Sequence, residues 1–109
     1  MSVEDTETLD AIGLEEATGT VTLTIADHLT WDDTAGHLEL LARKLEAYVQ
    51  FVESGQLVAL EPRAVGRKVL VQVYAHHPLP QTGAEFFAEA EATLSLNSIG
   101  FRWLLFPGH

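Results

Sequence analysis

The chain has no cysteine, which removes disulfides, thiol nucleophiles and thiolate metal sites together. Basic residues are also scarce, 6 lysines and arginines against 16 aspartates and glutamates, for a formal net charge of −10. Nucleic acid and anionic membranes are bound through positive surface, so neither is expected as a partner. No apolar run approaches the roughly 18 residues that a membrane span requires. The opening MSVEDTETLD is acidic where a secretory signal would be basic and then apolar. A cytoplasmic protein is therefore expected, with residues 1–8 an acidic, flexible segment. At 109 residues the chain makes one domain, large enough to bury a core without covalent staples.

What the chain does have is one long periodic segment, residues 30–54. Thr30 with Asp33 fits a capping box, and Asp32 and Asp33 put negative charge at the positive end of a helix dipole. Leu38, Leu41, Leu45, Tyr48, Val49 and Val52, with Ala42 among them, recur in steps of three and four, which makes one helical stripe. Ser54-Gly55 is a suitable stop. A second line, Leu40, Ala47 and Phe51, is turned roughly 140–160° from the first at about 100° per residue. Apolar residues on the back of a helix fit a self-association surface; the plainer alternative is scattered surface residues or cover by a loop.

Thr20 to Ile25 alternates strictly, with Val21, Leu23 and Ile25 inward and Thr20, Thr22 and Thr24 on the other face. Residues 9–14 precede it through Glu15-Glu16-Ala17-Thr18-Gly19, a loop suited to a hairpin with glycine at its end. Residues 56–60 read as a short strand stopped by Glu61-Pro62. Residues 68–75 read as another strand, with Gln72 and Tyr74 opposite Val69, Val71 and Val73, and Pro78 and Pro80 end it. Thr82 with Glu85 suggests a second capping box ahead of Phe86, Phe87, Ala90 and Leu94, with Asn97 a left-handed terminator. Residues 99–106 close the chain as a strand.

The order ββαββαβ predicts an α+β two-layer sandwich, a mainly antiparallel sheet of four to five strands with two helices on one face. A ferredoxin-like core is one form of it. An N-terminal hairpin would compete for an interior place in that sheet, so either residues 9–14 lie outside it or the strand order differs. The uncovered sheet face would carry Thr20, Thr22, Thr24, Gln72, Tyr74 and Arg102, facing water, another subunit or a ligand.

Candidate chemistry is thin. His28, Asp32 and His37 lie in the stretch richest in metal-ligand types, but no HExxH-type spacing is present and the aspartates have a capping role. No metal or other cofactor is expected. His76 and His77, adjacent on an extended chain, point to opposite faces, and no serine lies in a nucleophile elbow. Arg63, Arg67 and Lys68 hold half of the basic residues; with Gly66 they can either cradle an anion or neutralise acids such as Glu61. Trp31 and Trp103 are read as packing residues.

Taken together, MSVED, TGTVTLTIADHLTWDD, HLELLARKLEAYVQFVESG, GRKVLVQV and HPLP resemble a family of small bacterial proteins of unknown function, over nearly the whole chain. The resemblance implies a bacterial, cytoplasmic, single-domain protein and supplies no activity or catalytic residue. His77 stands where that pattern carries an aromatic, which counts against a catalytic role for it. The expectation is a non-enzymatic interaction domain, self-associating as a dimer through Leu40, Ala47 and Phe51 or holding another protein. The alternative is a small-molecule or anion-binding domain using Arg63, Arg67, Lys68, Gln72 and Tyr74, with a metal-dependent enzyme around His28, Asp32 and His37 behind both.

Overall fold

A computed structural model describes residues 11–105; the acidic segment 1–8, Leu9 and Phe106 lie outside the described residues. Strands β1 (Ala11–Glu15) and β2 (Thr20–Asp27) form the expected hairpin, antiparallel, with Leu14 opposite Val21. Gly19 closes it at φ 74°, and its N–H donates to the Glu15 carbonyl at 2.7 Å. A side chain disfavours that left-handed conformation, which glycine adopts freely.

Helix α1 (Thr34–Glu53) follows, then a short helix α2 (Gln56–Leu60), a single 3-10 turn (Pro62–Ala64) and β3 (Val69–Ala75). Helix α3 (Gln81–Leu96) and β4 (Ile99–Leu105) complete the chain. The sheet order is β1-β2-β3-β4, with β2/β3 and β3/β4 parallel. The fold is thus α+β with a four-stranded mixed sheet and three helices, and the mainly antiparallel, ferredoxin-like arrangement does not form. The physical reason lies in residues 56–60. They were expected as a strand, and they are helix. With no strand between α1 and β3, the chain must cross over to a parallel neighbour, as βαβ units do. The conflict over the hairpin then disappears, because β1 sits at the sheet edge and β2 has β3 as its other neighbour. Two successive crossovers in the same direction place α1 and α3 on one face.

Five residues are too few for periodicity to separate helix from strand. Gly55 at φ 88° turns the chain after α1, Ala59 N–H donates to the Gly55 carbonyl and only Leu57 is buried in α2. Both capping boxes also shift. Helix α1 begins at Thr34, with Asp33 as N-cap accepting from Gly36 N–H at 3.1 Å, while the Thr30 hydroxyl donates to Asp32. Helix α3 begins at Gln81 behind Pro80, with no side-chain cap. At its end Ser98, not Asn97, takes the left-handed conformation, at φ 61°.

The core joins Val21, Leu23 and Ile25 of β2, Val71 and Val73 of β3 and Phe101 of β4 to Leu41, Leu45 and Tyr48 of α1 and Phe87, Ala90 and Leu94 of α3. Two polar side chains enter it from α1. Lys44 is wholly buried, its ammonium 5.5 Å from the centre of the Tyr48 ring, and His37 is 3% exposed. The lysine stem is four methylenes long and packs as an apolar group.

Candidate functional site

The carboxyl ends of the parallel strands are where open α/β sheets usually place ligands. Here that end is filled by the protein itself. Asp27, the last residue of β2, is buried and meets the His37 ring, with Nε2 at 2.7 and 2.6 Å from the two carboxylate oxygens. His37 Nδ1 faces the Thr30 carbonyl at 3.1 Å. A carbonyl only accepts, so Nδ1 carries hydrogen, and the remaining proton lies between Nε2 and the carboxylate. Neither ring nitrogen keeps a lone pair for a base or a metal. Trp31 stacks on the imidazole at 3.7 Å between centroids, and an added Cβ on Gly83 of α3 would lie 3.1 Å from its Cη2. The pair and its tryptophan clamp residues 28–33 between α1 and α3. This is packing, as expected for Trp31, and it removes His37 from the metal-dependent reading. Asp32 is exposed and bonded to Thr30, His28 is exposed, and no group of three or more metal-ligating side chains converges among the described residues.

The expected anion loop is likewise occupied. Arg63 Nη2 donates to Glu61 at 2.6 Å and its Nε at 3.1 Å. This hydrogen bonding, aided by the guanidinium charge, lowers the Glu61 carboxyl below the ordinary glutamate value and raises Arg63. Arg67 donates to the Arg63 and Gly19 carbonyls, tying the loop to the hairpin. Lys68 precedes β3, and Gln72 and Tyr74 lie four and six residues further along it, or about 13–20 Å. The structure therefore separates the five residues expected to act together.

Gln72 and Tyr74 belong to another group. In register across the sheet, Thr24 pairs with Gln72 and Gln72 with Arg102. Arg102 Nε donates to Gln72 Oε1 at 2.7 Å, and Gln72 Nε2 donates to Thr24 Oγ1 at 3.1 Å and Tyr74 Oη at 3.4 Å. The sheet face away from α1 and α3 thus carries a polar line across three strands, with Gln72 only 6% exposed. A shallow groove of about 360 Å³ runs over it, lined also by Gly13, Glu15 and Thr22. Strict alternation in β2, and the looser alternation of β3 where Leu70 shares the face of Gln72 and Tyr74, made this face legible beforehand. The hydrogen-bonded line depended on parallel register and was not.

Leu40 and Phe51, expected on the back of α1, are half-buried and packed against the core, and Ala47 is half-buried. His37, Leu41, Lys44, Leu45 and Tyr48 are the buried set, which turns the buried arc by roughly 50° toward Leu40 and Phe51 at 100° per residue. Exposed apolar area lies elsewhere. Trp103, Leu104 and Leu105, 38%, 41% and 47% exposed, follow one another on β4, which has β3 as its only strand neighbour among the described residues. Trp103 packs one side against Phe87, centroids 5.7 Å apart. No helix among the described residues is long and apolar enough to cross a membrane.

A family model described as a family of unknown function matches residues 1–106. No curated protein and no solved structure matches the chain.

Proposed function

The chain belongs to the family of unknown function DUF6572, and we propose that it acts without catalysis, as an interaction domain that self-associates by pairing the free edge of β4 with β4 of a second copy. The observation that carries this reading is the coincidence of a strand edge unpaired among the described residues with three consecutive exposed apolar side chains, Trp103, Leu104 and Leu105. An unpaired edge offers a row of N–H and C=O groups, and long apolar edges are normally blunted by charge or proline unless they are used. Residues 99–105 contain neither proline nor acid, and their one charge, Arg102, is held by Gln72 over the sheet. In a chain of net charge −10, this is a strip where two copies approach without opposing carboxylates.

Antiparallel pairing about a two-fold axis normal to the sheet sets residue against residue on the same face. Centring on Arg102 would oppose two guanidinium groups, and like charges directly opposite are unfavourable. Centring on Trp103 sets Trp103 against itself, Arg102 against Leu104 and Phe101 against Leu105. An edge contact of this kind is small beside stable interfaces, so micromolar association is expected.

Sedimentation velocity from about 5 to 200 μM reads the monomer–dimer balance. Leu104→Lys, set opposite Arg102, should weaken the dimer at least tenfold, whereas Leu104→Glu should hold or strengthen it. A monomer throughout that range would refute self-association, and equal loss in both variants would refute the Trp103-centred register.

A further inference from the structure

The polar line on the open sheet face has a feature that strand packing does not explain. Gln72 is a nearly fully buried amide at the centre of a sheet, where an apolar branched residue packs better. Its three hydrogen bonds are satisfied by Arg102, Thr24 and Tyr74. Through Nε it also holds one edge of the Arg102 guanidinium at 2.7 Å. Among the described residues, Arg102 makes its hydrogen bond through Nε and none is seen from its two terminal guanidinium nitrogens, and the residue lines the groove together with Thr22, Thr24, Gln72 and Tyr74. A guanidinium fixed through Nε presents its remaining N–H groups as a planar fork, and the matching shape is a carboxylate taken in bidentate fashion.

We propose that Arg102, oriented by Gln72 and flanked by Tyr74 and Thr22, binds a small organic monocarboxylate in this groove. The groove, at about 360 Å³, falls at the small end of ligand sites, roughly 300–1,000 Å³. Charge decides between anion classes. Among the described residues lining the groove, Arg102 is the one cation and Glu15 the one carboxylate, and the whole chain carries −10. With Glu15 and the chain's overall charge both opposing anions, each further negative charge on a ligand is disfavoured, so a monoanion is favoured over a phosphate dianion. Arg102 also lies on β4, where the proposed pairing sets it opposite Leu104, so binding is read on monomeric protein and its outcome does not depend on self-association.

The test follows the Arg102 Nε–Hε cross-peak by nuclear magnetic resonance in protein dilute enough to be monomeric, with butyrate, butyramide and inorganic phosphate as probes at equal ionic strength. Butyrate should move the peak saturably in the millimolar range, with butyramide and phosphate at least tenfold weaker. Arg102→Lys and Arg102→Gln, checked as folded by the rest of the spectrum, should lose butyrate binding at least tenfold by the shift of the Gln72 side-chain amide, and Tyr74→Phe should weaken it severalfold. Equal response to butyrate and butyramide, tighter binding of phosphate, or butyrate binding that survives in Arg102→Gln would overturn the proposal.

Discussion

At the scale of single residues, the three least expected side chains are polar ones placed where apolar ones would serve, Asp27 with His37, and Lys44. Removing one member of a buried pair leaves the other uncompensated, which costs about 3–5 kcal/mol. His37→Ala should therefore lower unfolding free energy by about 3 kcal/mol or more in urea melts, with Trp31 losing its stacking partner besides. The double variant Asp27→Leu with His37→Leu should be more stable than either single leucine variant, because no charge is then stranded. A second expectation concerns pH. Glu61 is held below the ordinary glutamate value by its hydrogen bonds from Arg63. Its folded value is thus lower than its unfolded one, so its small contribution is complete above the unfolded value and fades as pH falls through the folded one. Carbon-detected titration should find Glu61 titrating below a free glutamate, and Arg63→Ala should bring it back up. The pairing of Arg63 with Glu61 was legible beforehand as one of two readings of that loop, and the buried pair was not. His37 looked like a surface ligand beside aspartates because a sequence does not show that Asp27, ten residues earlier, ends a strand pointing at the same spot.

At the scale of elements, α1 was legible in its existence, its Gly55 stop and the centre of its buried stripe, Leu41, Leu45 and Tyr48, and misread in its start and in how far that stripe extends toward His37 and Lys44. Counting Lys44 and His37 as polar drew the stripe through Leu38 and Ala42, when the spacing His37, Leu41, Lys44, Tyr48 was equally regular. The start moved because His37 draws Thr30 and Trp31 into a loop around its ring, leaving Asp33 as the cap. A Cβ on Gly36 would come within 2.3 Å of the Asp33 carboxylate. Gly36→Ala should therefore lose the cap, worth about 1 kcal/mol, while gaining about 1 kcal/mol of helix propensity. Alone it should shift stability by less than about 0.5 kcal/mol, and in an Asp33→Ala background it should stabilise by about 1 kcal/mol. A double-mutant cycle by thermal melts measures that coupling. Helix α2 was misread for want of length, since five residues bury one leucine whichever way they fold.

At the scale of the whole molecule, the proposed self-association of an acidic chain should respond to salt. Screening lessens repulsion between two bodies of net charge −10, while backbone pairing at β4 is little affected. The dimer should tighten severalfold between about 20 and 300 mM sodium chloride in sedimentation runs, since the Debye length falls from roughly 20 Å to well under 10 Å. Weakening with salt would point to a contact built on ion pairs instead. Topology is also decided at this scale. The hairpin turn, the strand patterns of β2, β3 and β4 and the periodicity of α1 and α3 are local, and so the sequence by itself determined six of the elements, β1 to β4 with α1 and α3, and which strand residues share the open face. It equally determined the absence of thiol chemistry and the dominance of acid. Tertiary structure alone decided that β2, β3 and β4 run parallel, which aligns Thr24, Gln72 and Arg102 in one line. It decided that β4 is an edge, and that Lys44 and His37 belong to the interior. Those outcomes depend on contacts between residues distant in the chain, where the partner, and not the local pattern, sets the free energy of each placement.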